Sequence, residues 1–232
     1  MSEAPAPRAR SPIVVGVAGG IASGKSTLVS EWERLGARSI DLDRVGWSVL
    51  SQAEVRESLL YAFGPDILDA AGEVDRSRLA AKAFADAESA ETLNAILHPP
   101  ILAAAERWIE EERRAAASPV LVVEASLIME AGRLDLFDYV VLVASGRETR
   151  LARLAAKGID RADATARMRF QWDDETKRPL ADFVVENDGA PEALTRAARS
   201  LWQTVSGLPA RPRGAANRGR GHDGPDQKGR TR

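Results

Sequence analysis

The feature that most constrains this chain is a glycine-rich segment that directly follows a short apolar run. Residues 19–26 read Gly-Gly-Ile-Ala-Ser-Gly-Lys-Ser, after the run Ile-Val-Val-Gly-Val-Ala at 13–18. The glycines at positions 19 and 24, with Lys25 and Ser26 after them, match the phosphate-binding loop (P-loop) pattern G-x-x-x-x-G-K-[ST]. A loop of this kind connects a buried strand to a helix, so the pattern predicts an α/β fold and a site for a nucleoside triphosphate.

Each residue type in the loop has a physical role. Glycines let backbone N–H groups turn toward an anion without a Cβ in the way. The helix predicted from Lys25 directs its positive N-terminal end at the same phosphates. Lys25 can reach the β- and γ-phosphates, and the hydroxyl of Ser26 can ligate Mg²⁺. The competing interpretation is an ordinary glycine-rich turn between a strand and a helix.

The composition excludes several classes of protein and of site. With 232 residues, 44% of them hydrophobic, the chain can build one domain with a real core. It has no cysteine and two distant histidines, which excludes disulfides, thiolate chemistry and a zinc cluster. No apolar stretch approaches the roughly 18–20 residues of a membrane span, so we expect a soluble, cytoplasmic protein.

The two ends differ in composition from the middle. Residues 1–12 are rich in Pro, Ala and Arg, and 206–232 form a Gly/Arg/Pro-rich tail with seven basic and two acidic residues. We predict that both ends are disordered and that 13–205 is the globular domain. The whole chain has a net charge of −2 and the tail is positive, so the rest of the chain is acidic. We therefore do not expect nucleic acid as the main ligand of the domain, although the tail alone suits RNA.

The order of strands and helices predicts a parallel sheet. Continuous apolar runs that alternate with helical patterns are typical of parallel strands covered on both faces. We expect these strands at 13–18, 38–42, 119–124, 139–143 and 183–185. A helical block at 52–117 interrupts the alternation, which indicates an acceptor-binding insertion. Within it, we expect one helix to stop at His98-Pro99-Pro100 and another to begin at Ile101.

Two aspartates come at the end of the second predicted strand. Asp41 and Asp43 lie where open α/β sheets place their ligands. Their spacing of two puts both carboxylates on one side of an extended backbone. One can accept a proton from an acceptor hydroxyl while the other orients that hydroxyl or the magnesium shell. The alternative, weighed for both residues, is an aspartate that caps a helix.

Further charged residues suit phosphoryl transfer. Glu124 closes the strand at 119–124 and is similar to the acid that holds a magnesium-bound water in P-loop proteins; a structural role at the strand end is the alternative. Arg150, Arg153 and Lys157 recur at helical spacing in a predicted lid. Guanidinium groups from a lid stabilise charge on a transferring phosphoryl group, and Arg153 is the best candidate. A solvated helix face would show the same spacing.

Taken in order, these residues resemble the dephospho-CoA kinase family. The resemblance extends over roughly 13–205 and rests on these segments: 19–27, 40–44, 63–64, 67–68, 72–76, 97–99, 127–130, 153–154, Gln171 and 185–189. It implies a P-loop NTPase-type sheet and transfer of the γ-phosphate of ATP to the ribose 3′-hydroxyl of dephospho-CoA. It also implies that 52–117 binds CoA and that 150–177 is the lid.

The motifs described above and the resemblance together give roles to single residues, and the resemblance implies those of Asp43 and Asn187. The catalytic set is Asp43 as general base, Lys25 and Arg153, and the metal set is Ser26 and Glu124. Nucleotide contacts are expected from Gly20, Ile21, Ala22, Ser23, Gly24, Lys25, Ser26, Thr27 and, near the adenine, Asn187. Substrate or lid contacts are expected from Asp41, His98 and Lys157, although His98 before a proline also suits a helix end.

Three positions depart from the family pattern. Ala22 replaces a usual glycine, which is tolerable if its φ is negative. Ser126 stands where the family usually has proline, which affects the shape of the acceptor pocket. Lys157 replaces a lid arginine and loses the bidentate fork, so we predict a weaker lid contact.

Other functions stay open at this stage. The alternatives are another P-loop small-molecule kinase, for a nucleoside or a sugar acid, and a regulator that binds nucleotide without transferring phosphate. A third is an RNA-associated adaptor that acts through the basic tail. The sequence gives no indication of the oligomeric state.

Overall fold

A five-stranded parallel sheet forms the centre of the protein, whose computed structural model describes residues 11–211. The strands are β1 (Ile13–Ala18), β2 (Arg38–Asp41), β3 (Val120–Glu124), β4 (Tyr139–Ala144) and β5 (Phe183–Glu186), in the order β2-β3-β1-β4-β5. Every residue of β1, β3 and β4 is buried, as expected for apolar strands covered on both faces. The prediction of a parallel α/β sheet is confirmed.

Nine helices and three short 3₁₀ turns surround the sheet within this described part of the chain. The helices are α1 (Lys25–Arg34), α2 (Leu42–Val49), α3 (Ala53–Phe63), α4 (Arg76–Ala83), α5 (Ala87–Ala115), α6 (Arg147–Ala155), α7 (Arg161–Met168), α8 (Asp174–Lys177) and α9 (Pro191–Val205). The 3₁₀ turns are Pro65–Ile67, Leu134–Leu136 and Arg178–Leu180.

The sheet separates two cores. On one face, α1 and α9 pack against β1 and its neighbours, with Trp32 and Ala198 fully buried there. On the other face, α5 contributes Ala105 and Ile109 to a core that also holds Leu121 and Phe137. Strand residues alternate between the two faces because successive side chains point in opposite directions.

The helical insertion has a core of its own. Leu59, Phe63, Ile67 and Leu79 pack there against Leu93 of α5. The same helix reaches the sheet further along, so α5 is common to both bodies. The segment predicted as an acceptor-binding insertion is therefore a helical layer attached to the sheet through one long helix.

The prediction that a helix stops at His98 is wrong. Helix α5 runs through Pro99 and Pro100 over 29 residues. Each proline removes one backbone donor and costs about 3 kcal/mol in a helix interior. Packing of Leu93 in the insertion core and of Ile109 under the sheet keeps both halves of the helix in line.

The described residues include the start of the predicted basic tail. After α9, Arg211 donates its backbone N–H to Asp138 at 2.7 Å, and its guanidinium lies 3.9 Å from the Tyr139 ring centroid and pairs with Asp182 at 2.9 Å. The rest of the segments predicted to be disordered, 1–10 and 212–232, lies outside the described residues. In the range 11–211, no helix is both long and apolar enough to cross a membrane.

Candidate active site

The phosphate loop follows β1 at the carboxyl edge of the sheet. Gly19 and Gly24 have φ angles of 148° and 107°, which side-chain-bearing residues rarely adopt. A Cβ on Gly24 would lie 2.2 Å from Asn187 Nδ2, and one on Gly19 would lie 2.5 Å from Val143 O. The loop therefore needs glycine at both positions for its backbone angle and for space.

Lys25 lies across this loop. Its side chain is buried, and Nζ donates to the carbonyl oxygens of Gly19 and Gly20 at 3.0 and 3.2 Å. Burial lowers the pKa of Lys25, while the charges of Asp43 and Glu124 oppose that shift. The structure thus brings the predicted catalytic lysine together with two predicted acidic residues of the site.

Sheet order explains why the acidic residues meet the loop. β3 lies between β1 and β2, so their carboxyl ends are adjacent. Glu124 is paired in register with both Val17 and Asp41. Glu124 Oε1 accepts a 2.6 Å hydrogen bond from the Ser26 hydroxyl. Burial raises the pKa of Glu124, against the lowering effects of Ser26 and Lys25.

The pair Ser26–Glu124 has the chemistry of a magnesium site. Mg²⁺ in proteins takes one or two carboxylates, waters and substrate phosphate oxygens, and hydroxyl and carboxylate oxygens are hard ligands of the right type. Within residues 11–211, no three His, Cys, Asp or Glu side chains form a metal cluster by themselves. The pair fits a cation whose remaining ligands come from the nucleotide and water.

Asp41 ends β2, as predicted, but Asp43 has a different backbone conformation from the one predicted. Asp41 is the N-cap of α2 and accepts from the N–H groups of Asp43 and Arg44 at 2.9 and 3.1 Å, so its capping alternative is confirmed. Because α2 begins at Leu42, Asp43 is helical, and the expectation of two carboxylates on one extended backbone is wrong. Asp43 Oδ2 accepts a 2.8 Å hydrogen bond from the hydroxyl of Ser126, just past β3.

The guanidinium of Arg153 in α6 donates hydrogen bonds to oxygen atoms of the phosphate loop and of neighbouring segments. Nη1 donates to the carbonyls of Ala22 and Ser23 at 3.2 and 3.3 Å and to the Ser145 hydroxyl at 3.3 Å. Nη2 donates to the carbonyl of Asn187 at 2.8 Å. Asn187 Nδ2 in turn donates to Ser23 O at 2.6 Å. Both predicted residues therefore hold the loop backbone, and the catalytic role of Arg153 stays a prediction.

Ala22 has a φ of 60°, so the condition under which alanine would replace glycine without strain is not met. Together with Ile21, it packs against the cluster of Leu151, Leu154, Ala164 and Met168 in α6 and α7. The left-handed backbone of Ala22 is thus found where the loop meets the lid helices.

The other two predicted substrate or lid residues lie in different surroundings. His98 is half-buried within α5, where burial lowers its pKa and the charge of Glu130 opposes the shift. Lys157 is exposed in the turn after α6. Their predicted contacts with substrate stay predictions.

Sequence reasoning missed part of the site. Lys177 is fully buried, with Nζ 2.8 Å from Glu130 Oε1, and its charge lowers the pKa of Lys25. Gln171 Oε1 accepts from the N–H of Ile21 at 2.9 Å. Gln171 and Glu130 belong to the family pattern, which was the available signal, whereas Lys177 lies in no motif.

Comparisons with known proteins agree with this geometry. The dephospho-CoA kinase family model matches residues 13–192. A dephospho-CoA kinase of Corynebacterium diphtheriae is 41% identical over 192 residues, which cover 82% of this chain and 96% of that protein. One of Mycolicibacterium paratuberculosis is 41% identical over 190 residues, 81% of this chain but 46% of that longer protein.

A solved structure is also similar to this chain. The crystal structure of TT1252 from Thermus thermophilus has a TM-score of 0.69 and 32% identity, with 84% of this chain and 99% of that chain covered. The family model extends over most of the chain, and the relative from Corynebacterium diphtheriae is 41% identical along 96% of its own length. The chain therefore belongs to the dephospho-CoA kinase family.

Proposed function

We propose that the protein transfers the γ-phosphoryl group of ATP to the ribose 3′-hydroxyl of dephospho-CoA, which is the last step of CoA synthesis. The observation that carries the proposal is the meeting of the phosphate loop, Lys25 and the carboxylates of Asp43 and Glu124 at one edge of the sheet. A P-loop alone supports nucleotide binding. A separate carboxylate beside it supports transfer to an alcohol.

The proposed step needs a nucleophile, a leaving group and a proton acceptor. The acceptor hydroxyl oxygen bonds to the γ-phosphorus, the bond from that phosphorus to the β–γ bridging oxygen breaks, and ADP leaves with the electron pair. The hydroxyl proton passes to the carboxylate of Asp43. Ser126 holds Oδ2 of that carboxylate in place, which supports a fixed direction for proton transfer.

Residues of the loop supply most of the binding to the donor. The backbone N–H groups of 20–27 and the N-terminus of α1 would surround the phosphates, and Lys25 would exchange its carbonyl partners for β- and γ-phosphate oxygens. Ser26 and Glu124 would hold the metal, Glu124 through a water molecule. Bound Mg²⁺ would neutralise charge on the β- and γ-phosphates.

The remaining assignments belong to the same proposal. The insertion at 52–117 would bind the acceptor, since its own core makes it a distinct layer next to α2, which carries Asp43. Asn187 would lie near the adenine, and Asp41, His98 and Lys157 would contact the acceptor or close the lid. A cytoplasmic location of the protein is part of the same proposal.

Product identification tests the proposal. The full chain is mixed with Mg²⁺-ATP and dephospho-CoA, and the products are identified by mass. We expect CoA and ADP in equal amounts, with ATP consumption that depends on the acceptor. Consumption with a nucleoside or a sugar acid instead would favour another small-molecule kinase, and ATP binding without turnover would favour a regulator.

Two variants test the assigned residues. Lys25→Ala should weaken ATP binding and turnover together. Asp43→Asn is isosteric and should retain ATP affinity while the turnover falls by about 100-fold or more, as for the loss of a general base. Unchanged turnover in Asp43→Asn would remove Asp43 from the mechanism.

A further inference from the structure

Arg150 is a buried cation that forms no ion pair with a carboxylate in the part of the chain that the structure describes. Its exposed fraction is 8%, and its Nε atom is buried with no hydrogen-bond partner among residues 11–211. Two other arginines of the lid are paired: Arg161 with Glu148 and Arg167 with Asp163. A buried charge is costly unless it is paired, so an anion supplied by a ligand is the natural partner of Arg150.

The guanidinium lies against the phosphate loop. A Cβ built on Gly20 would lie 1.7 Å from Arg150 Nη1 and 3.3 Å from Gln171 Oε1. Nη1 of Arg150 therefore occupies the space that a side chain at position 20 would fill. The carbonyl of the same glycine accepts from Lys25 Nζ at 3.2 Å. Two cations thus converge on one loop residue.

The guanidinium of Arg153, also in α6, already has acceptors in the protein. Arg153 donates to three backbone carbonyls and one hydroxyl, which fix the loop and the end of β5. Arg150 lies one helical turn earlier and has no comparable set of acceptors in the described part of the chain. Arg153 thus holds the loop backbone in place, whereas the guanidinium of Arg150 is available to a ligand.

We propose that Arg150 binds the γ-phosphoryl group of the donor nucleotide. A planar guanidinium can contact two phosphate oxygens at once, which suits a group whose charge is spread over its equatorial oxygens. The proposal rests on the proposed function only in that the loop binds ATP. It requires no particular acceptor, and it gives Gly20 a reason of its own, because a side chain there would displace Arg150.

The test compares two nucleotides that differ in the γ-phosphate. Dissociation constants of Mg²⁺-ATP and Mg²⁺-ADP are measured by calorimetry for the full chain and for Arg150→Met, Arg150→Lys and Arg147→Met. Arg147 is exposed in the same helix and is the matched control. In Arg150→Met, we expect ATP affinity to fall by about 10- to 100-fold and ADP affinity by less than about 3-fold, since a charge-assisted contact to one phosphate is lost.

The controls separate a ligand contact from a structural one. Arg150→Lys keeps the charge without the fork and should give an intermediate loss for ATP, and Arg147→Met should change neither nucleotide. The melting temperature of nucleotide-free Arg150→Met should equal or exceed that of the wild type, because an unpaired buried charge is removed. If this variant does not fold, the ATP-against-ADP comparison in Arg150→Lys decides.

Equal weakening of ATP and ADP, or no weakening of either, would overturn the proposal. These measurements contain no dephospho-CoA. A wild-type protein that makes no CoA while Arg150→Met still loses ATP selectivity would therefore reject the proposed acceptor and keep the role of Arg150. The opposite pattern would keep the acceptor and reject Arg150.

Discussion

Ser126 donates its hydroxyl to Asp43 across 2.8 Å, although the two residues are 83 positions apart in the sequence. Ser126 stands where the family usually has proline, and a proline has neither a hydroxyl nor an N–H to donate. The departure from the family pattern therefore provides a hydrogen bond to the carboxylate that we propose as the general base.

Ser126→Ala should lower turnover and leave nucleotide binding unchanged. The hydroxyl restrains one oxygen of an exposed carboxylate. Its loss should reduce kcat by about 3- to 10-fold, the effect of one hydrogen bond to a charged group near solvent. Steady-state kinetics with dephospho-CoA give kcat and the KM for ATP. Ser48→Ala, which removes a hydroxyl from the same helix as Asp43, is the control. A kcat equal to that of the wild type would show that Ser126 does not position Asp43.

Ala22 should tolerate glycine but not valine. A left-handed φ costs an L-residue about 1–2 kcal/mol, and glycine relieves that strain. The gain is offset by the greater freedom of glycine in the unfolded chain and by the lost methyl contact with the lid cluster. We expect Ala22→Gly to change the free energy of unfolding by less than about 1 kcal/mol, and Ala22→Val to lower it by more, because a β-branched residue is an outlier there.

Urea denaturation measures both variants of Ala22. Ala166→Val, on the exposed surface of α7, should cost no more than about 0.7 kcal/mol, the difference in helix propensity. If Ala22→Val were no more harmful than this control, the loop would not require a left-handed residue at position 22.

Local sequence patterns were enough to predict the sheet and the position of the phosphate loop. Continuous apolar runs identified β1, β3 and β4, and the glycine and lysine positions identified the phosphate loop. The meeting of Ser26 with Glu124 followed from parallel strands whose carboxyl ends lie at one edge. These features depend on chain-local chemistry and on a regular topology.

Features that depend on tertiary packing were not predictable. Helix α5 continues through Pro99 because its two ends lie in different cores. Ala22 adopts a positive φ where the loop meets the lid cluster. The pairing of Lys177 with Glu130 joins residues from separate segments. In each case, the deciding contact is remote in sequence.

His98 should titrate below its usual value of 6.5, because burial disfavours the charged imidazolium more than the charge of Glu130 favours it. The unfolded chain then binds more protons than the folded chain between the lowered pKa and 6.5. Stability from His98 is therefore present above pH 6.5 and is lost as the pH falls through this window.

Proton NMR measures this pKa directly. His222→Gln leaves His98 as the one histidine of the chain, so a single imidazole signal is followed. A second variant, His98→Gln, should make the free energy of unfolding less dependent on pH below 6.5. A midpoint at or above 6.5 would contradict the prediction.

The buried pair of Lys177 and Glu130 should be more costly to break than to replace. Lys177 is fully buried, and Glu130 Oε1 also accepts a 2.9 Å hydrogen bond from the N–H of Trp172. Lys177→Met leaves a largely buried carboxylate without its cation, which should lower the free energy of unfolding by about 3–5 kcal/mol.

The double variant Lys177→Met/Glu130→Gln removes both charges and retains an oxygen that can accept from Trp172. We expect it to be more stable than Lys177→Met alone, as measured by urea denaturation with Glu130→Gln as the second single variant. If the double variant lost as much unfolding free energy as Lys177→Met and Glu130→Gln together, the two residues would not be energetically coupled, because the effects of independent sites are additive.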